Sequence, residues 1–375
     1  MRNTVIVILV LITASCEYSP RSIKEIQGGI EKIHVGNPEN VFISEIFDSI
    51  SYIPLKDSES HSLMSEVSKL EKVDSLFFIL DKNVQKLYIY NDSGSFLKTV
   101  GRIGQGPGEY VTISDFSVDY KKKEILILDR SGRKIIKYDI LGNYIDSYKI
   151  DIMATKICSL GDKCAVYTGG NDYYTNRKKE LGYNLFFYNP DFMLQEKHFY
   201  HNPDYDNMVR DRVFDYNHSD STLVYHHSIC DTVYFFKEHG VNHKLVVDFG
   251  DSTLPIEAIN KGNIREYINS SKYASILSVT YSSQYMFVNY SQKRRVHTIL
   301  FDKAKGTMLN IDFLRNDLDD TMFAIPYPLK IVGNQAYYSK EASKLLFEHK
   351  KDSLILGDDV IKEDNNPVLV VGHLK

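Results

Sequence analysis

The chain has 375 residues, 43% of them hydrophobic and 25% charged, with 27 tyrosines, no tryptophan and a formal net charge of −4. That composition supplies a sizeable apolar core, and the length suits one large domain or two ordinary ones. With no global excess of positive charge, nucleic acid is excluded as the main partner, because such affinity rests largely on neutralising phosphates.

The chain opens on MRNTVIVILVLITASC, in which Arg2 precedes an apolar run over residues 5–12 and then Thr13, Ala14, Ser15 and Cys16. The run is too short to span a bilayer, which takes about 20 apolar residues, and has the length of a secretory signal core. Small residues followed at once by a cysteine resemble the lipobox of bacterial lipoproteins, although Thr13 stands where Leu, Val or Ile is usual. The resemblance implies that residues 1–15 are removed and that Cys16 carries lipid and attaches the protein to a membrane. The location would then be the cell envelope, in the periplasm or on the outer-membrane surface. An ordinary secretory signal with an incidental cysteine is the alternative. Residues 16–40 are expected to form an N-terminal tether or extension and residues 41–375 one folded domain.

Within that domain, DSISYIPL reads as an early strand able to pair with the last segment of the chain and so hide a sheet edge. Next come two similar segments, LFFILDKNVQKLYIYNDSGSFLKTV from Leu76 and EILILDRSGRKIIKYDILGNYIDSY from Glu124. Asp81 and Asp129, Tyr90 and Tyr138, and Gly94 and Gly142 are each 48 residues apart. Three landmarks at one period define a repeat. Each copy holds a continuous apolar run suited to burial on both faces, a second β-rich run, an Asn/Asp/Gly turn and an outer strand. VSKLEKV and ISDFSVD supply one more strand before each. Four antiparallel strands in this length make one blade of a β-propeller.

Between the copies, GRIGQGPGEY spans residues 101–110. Pro107 and Gly108 occupy the second and third positions of a type II turn. The glycine spacing is wrong for a dinucleotide fingerprint, the following YVTISDFSVD reads as strand, and no Gly-Lys-Ser/Thr is present, so the loop is not a phosphate cradle. Two readings remain: a tight crossing tied down by Arg102 and Glu109, or a loop at the channel mouth that presents Arg102, Gln105, Glu109 and Tyr110 to a ligand.

Cys158, Cys164 and Cys230 are an odd number, which suits free buried thiols, although the first two flank SLGDK and could meet across a hairpin. Residues 169–182, GGNDYYTNRKKELG, are polar and long for a hairpin, and place Tyr173 and Tyr174 as candidate binding residues. HFYHNPDYDN and PYP around Tyr327 are further aromatic clusters. The repeat continues through NLFFYNPDFMLQEKHFY (blade three), STLVYHHSICDTVYFFKEHG (four), SQYMFVNY with RRVHTILFDKAKGTMLNIDF (five) and NQAYYSKE with NPVLVVGHLK (six). After Cys16 there is room for more than seven periods, so six blades require insertions, and seven blades is the alternative. Helical insertions are expected near 255–275 and 340–350.

No cofactor motif, metal-ligand spacing or nucleophile elbow is present. His226 and His227 are neighbours in a strand and point to opposite faces, which does not suit a shared metal. A glycoside hydrolase would need two carboxylates about 5 to 9 Å apart, which spacing in sequence cannot supply.

FDSISYIPL, GRIGQGPGEY, CDTVYFF and DNNPVLVVGHLK together resemble the six-bladed β-propeller lipoproteins abundant in Bacteroidetes, which are NHL-like in shape. The resemblance covers nearly the whole chain after Cys16. It implies an all-β ring of six four-stranded antiparallel blades and an export route, with members near glycan-uptake systems, and little about activity. The expected role is a binding module for a glycan, a peptide or an envelope protein. The alternative is a lyase or glycoside hydrolase with its site at the central channel.

Overall fold

The two sequence repeats fold as neighbouring antiparallel sheets in the computed structural model, which describes residues 30–56, 63–169, 182–200, 212–227, 230–255, 266, 267, 270, 272–318 and 327–375. Blade 1 consists of Lys69–Val73, Leu76–Asp81, Lys86–Asn91 and Phe96–Val100, ordered from the channel outward, and blade 2 of Ile113–Asp119, Glu124–Asp129, Lys134–Asp139 and Tyr144–Lys149. The landmarks take equivalent places. Asp81 and Asp129 end the second strands, Tyr90 and Tyr138 are buried, and Gly94 and Gly142 hold left-handed turns at φ of 76° and 78°.

The continuous apolar runs are second strands, covered on both faces by neighbouring blades. Phe78 and Leu80 pack with Ile125 and Ile127 of blade 2, while Phe77 and Ile79 pack with Tyr337 and Leu369 of blade 6. The same division of odd and even residues recurs around the ring, as expected where both faces of a sheet are buried.

Blade 3 comprises Lys156–Leu160, Lys163–Tyr167, Tyr183–Tyr188 and Leu194–Tyr200; blade 4, Phe214–Asn217, Thr222–His226, Thr232–Lys237 and Gly240–Asp248; blade 5, Ser275–Tyr281, Tyr285–Gln292, Arg295–Asp302 and Thr307–Arg315. Blade 6 takes Lys330–Val332, Gln335–Lys340 and Val368–Leu374 from the end of the chain and Phe47–Pro54 from its beginning. The early strand thus closes the ring, and the ring has six blades rather than seven. Two further segments add parallel strands to outer edges: Ile30–His34 on blade 4 and Glu39–Phe42 on blade 5.

A helix, Ala342–His349, and a small hairpin, Leu354–Leu356 with Asp359–Ile361, lie between the second and third strands of blade 6 and share an apolar cluster. Glu266 and Tyr267, described residues of the other expected insertion, are helical. Cys158, Cys164 and Cys230 are buried and form no disulfide among the described residues. Cys158 lies opposite Ala165 and Cys164 opposite Ser159. That one-residue offset turns the two thiols to opposite faces, toward blades 4 and 2 respectively.

Candidate functional site at the channel mouth

The innermost strands line the channel, and their alternate residues are polar: Lys69 and Glu71 in blade 1, Asp115 and Ser117 in blade 2, Lys156 in blade 3, Asp215 in blade 4, Lys330 in blade 6. Lys330 Nζ lies 3.0 Å from Glu71 Oε2 and 2.9 Å from Asp215 Oδ1, and donates to the Tyr216 carbonyl. It therefore bridges blade 1 to blade 4 across the channel. Lys69 Nζ lies 3.0 Å from Asp115 Oδ1 and donates to the Phe116 carbonyl. Each aspartate also serves the next blade: Asp115 Oδ2 accepts the Ile157 N–H at 2.9 Å, and Asp215 Oδ2 that of Tyr281 at 2.7 Å. One charged network thus touches all six blades.

Burial alone would raise the Glu71 carboxyl, but Lys330, a hydrogen bond from His218 and Lys69 hold it well below the usual carboxylate range. For Lys330, burial would lower the ammonium, and the charges of Asp215 and Glu71 raise it above its ordinary value instead. Both remain charged at neutral pH, as paired and hydrogen-bonded buried ions can.

Against this network lies a cavity of ≈ 320 Å³, bordered by Glu66, Ser68, Lys82, Lys156, Arg212 and Phe214. Glu66 and Arg212 precede innermost strands and Lys82 follows a second strand, so the cavity belongs to the face of the ring where those connections lie. Arg212 donates from Nη1 to the Pro328 carbonyl and sits 5.2 Å above the Tyr327 ring. Of the PYP cluster, Tyr327 and Pro328 are described, and both lie beside this mouth through Arg212. Burial pushes the Cys158 thiol up, which keeps it protonated and a poor nucleophile. Among the described residues no group of three His, Cys, Asp or Glu could hold a metal ion. His226 Nε2 meets the Arg212 carbonyl and His227 Nε2 meets Asn184.

The residues singled out in the glycine-rich loop lie elsewhere. Gly108 has φ 69°, and the Glu109 N–H donates to the Gly106 carbonyl, closing the turn at 3.1 Å. Glu109 Oε1 accepts from Arg102 Nε at 2.6 Å, and its Oε2 accepts the Gly106 N–H at 2.8 Å. Tyr110, 2% exposed, donates to the Gln85 carbonyl, and Gln105 is exposed. Tyr138 donates to the Gly108 carbonyl and Lys134 to that of Glu109. The loop is therefore bound to blade 2 and the edge of blade 1, and none of its four candidates borders the channel cavity. Tyr173, Tyr174 and Cys16 lie outside the described residues. The channel residues escaped the sequence reading, although their signal is present: polar or charged residues at alternate positions of a strand that opens a blade, as Lys69 and Glu71 in SKLEKV, Asp115 and Ser117 in ISDFS, and Asp215 and Asn217 in FDYN.

The family described as "Domain of unknown function (DUF4934)" matches residues 30–373. No curated protein matches the chain. Among solved structures, a Bacteroides fragilis protein described as exported aligns with a TM-score of 0.70 and 18% identity, over 92% of this chain and 99% of its own. A member of the DUF4221 family from Bacteroides vulgatus aligns with a TM-score of 0.52 and 12% identity, over 88% and 97%. At these identities the likeness is one of fold.

Proposed function

The chain belongs to the DUF4934 family, and we propose that it is an exported, lipid-anchored propeller that binds a polar ligand at its channel mouth without transforming it. The observation that carries this reading is the engagement of the channel carboxylates: Glu71, Asp115 and Asp215 are each held by a lysine, and both aspartates also by a backbone N–H. A general acid or base needs a pKa near the working pH, and Glu71 is driven away from it. The mouth offers what a binding site needs, namely convergent polar groups beside an aromatic ring: Glu66, Lys82, Lys156 and Arg212, with Tyr327 under the guanidinium. A glycan or peptide suits such a surface. NHL-like kinship, carried by residues 101–110, belongs to the same reading.

The description of the Bacteroides fragilis neighbour as exported supports an envelope location, and the sequence around Cys16 supports the anchor. Labelling cells with a fatty-acid analogue should mark the wild type and not Cys16→Ser; equal labelling of both removes the anchor. Binding is tested by calorimetry of the protein lacking its signal segment against a panel of neutral oligosaccharides and peptides. Arg212→Ala should weaken the ligand found by about tenfold or more, as expected for a hydrogen bond from a charged group. Chemical turnover of any panel member would overturn the non-catalytic reading.

A further inference from the structure

A second cavity, of ≈ 380 Å³, lies at the junction of blades 4 and 5, away from the channel. A row of rings borders it: Phe249 and Tyr290 have centroids 4.8 Å apart, and Tyr290 and His297 5.2 Å apart. Ser252 and Gln292 form a wall, joined by a hydrogen bond from Gln292 Nε2 to Ser252 Oγ at 2.7 Å. Residues 35–38, which link the two added edge strands, form another side. They are held by the Val35 N–H on the Asp248 carbonyl and by Asn310 Nδ2 on the Gly36 carbonyl.

Lys293, Arg295 and Asp312 complete the lining. Arg295 pairs with Asp312 at 3.2 Å, whereas neither Lys293 nor Arg294 is in an ion pair among the described residues. Those two residues form the two-residue turn between the second and third strands of blade 5, at φ 50° and 60°. Such a turn favours Asn-Gly, because both positions are left-handed. Two long cationic side chains in its place cost stability, and strain of this kind concentrates at functional sites. His297 is 5% exposed. Its Nδ1 lies 3.1 Å from Asp312 Oδ1 but out of hydrogen-bond alignment, so a buried polar atom at the cavity lacks a proper partner. Burial holds the imidazole below its ordinary pKa, which leaves Lys293 and Arg295 against Asp312 as the charges of the lining.

We propose that this cavity binds a small hydroxylated carboxylate of the chemical class of an acidic monosaccharide. Its carboxylate meets Lys293 and Arg295, its apolar side is turned toward Phe249, the least buried of the three rings, and its hydroxyls meet Gln292, Ser252 and Asn37. Because residues 35–38 form one side of the cavity, occupancy also tightens the edge strands on either side of them, as a ligand stabilises the state that binds it.

The test uses sodium glucuronate at millimolar concentration, with glucose and sodium sulfate as comparisons, read by calorimetry and by hydrogen exchange. Glucuronate is expected to bind and to slow amide exchange over residues 30–42, and the two comparison solutes to do neither. Lys293→Asn with Arg294→Gly should raise Tm, since the turn is relieved, yet weaken glucuronate by about tenfold or more, the loss expected for one charge-assisted contact. The proposal is overturned by no glucuronate binding to the wild type, by an equal response to glucose or sulfate, or by undiminished affinity in the double variant. Loss of glucuronate binding in Arg212→Ala with retention in the double variant would place the ligand in the channel and likewise overturn it, leaving the channel reading intact.

Discussion

Gly108 is the residue on which the glycine-rich loop turns. Its φ of 69° lies in the left-handed region, and a Cβ built on it would come 3.0 Å from both Cβ and Cγ of Tyr144 in the outer strand of blade 2. Gly108→Ala therefore meets a backbone penalty and a packed neighbour together. The expected cost is about 1–2 kcal/mol from the conformational term alone, read as a lower urea midpoint with an unchanged slope. A variant as stable as the wild type would show that the turn is not a structural element. The sequence announced this residue because Pro-Gly at the centre of a turn has one strongly favoured geometry. It also announced the tie between Arg102 and Glu109, seven residues apart, since a short loop leaves few places for either side chain. What it did not announce is how thoroughly the tie is used. Glu109 spends one oxygen on Arg102 and the other on the Gly106 N–H. These bonds, the backbone one first, hold its carboxyl below the ordinary value. Asp81 and Asp129 show the same economy. Asp129 accepts the N–H groups of Val111, Thr112 and Gly132, and Asp81 those of Ser65, Glu66 and Asn83, so that each joins a blade's entry segment to the turn after its second strand.

Among the elements, the strands of blades 1 and 2 were legible because their turns use the same residues at the same spacing and their second strands are apolar on both faces. The closing strand was legible for a related reason: YIPL at one end and VLVV at the other are β-rich runs with no nearer partner. Ile30–His34 was not. Its burial pattern leaves only Ile33 inside, 8% exposed, packed on the cluster between blades 4 and 5. Read alone, IEKIH has too little apolar content to declare a strand, and its partner lies more than 200 residues away. It is held by a parallel ladder to Lys244–Asp248 and by Asp248, which lies 2.9 Å from Lys32 Nζ and 2.8 Å from His34 Nδ1. These ion pairs are largely exposed and contribute little, so Ile33 and the ladder carry the docking. Elements with few buried contacts open at low free energy. Ile33→Asp should therefore release this strand without unfolding the ring. Brief trypsin treatment is expected to cut the variant near Lys32 well before the blades, with Tm of the remaining protein close to that of the wild type. Cooperative loss of the whole ring at the same protease dose would show instead that the edge strand is integral to blade 4.

For the molecule as a whole, the charged network in the channel is the part least visible in the sequence, since Glu71, Asp215 and Lys330 are ordinary charges until the ring brings them together. Lys330 lies between two buried carboxylates of opposite blades and pairs with both. Removing one partner of a buried ion pair leaves an uncompensated charge, at a cost of about 3–5 kcal/mol, and Lys330→Ala takes the lysine from Asp215 and the nearer of two from Glu71. The sign of the pH dependence follows from the shifts. Glu71 is depressed in the folded protein, so its contribution is fully present above the unfolded value of about 4.3 and is lost as pH falls from there through the folded value. Lys330 is raised, so its contribution is fully present below about 10.4 and is lost as pH rises through its folded value. In Lys330→Ala Asp215 loses its lysine and Glu71 keeps only Lys69, at 3.9 Å, and the bond from His218, so acid relieves the burial of the pair by protonating it. The stability gap between wild type and variant should therefore be large at pH 7 and should narrow at pH 4, in urea titrations of both proteins at both pH values. Converting the carboxylates as well, in Lys330→Met with Glu71→Gln and Asp215→Asn, should recover part of the loss at pH 7, because no charge is then left stranded. An equal gap at pH 7 and pH 4, with no recovery in the triple variant, would mean that Lys330 acts by filling space between the blades and that charge does not hold the ring together at its centre.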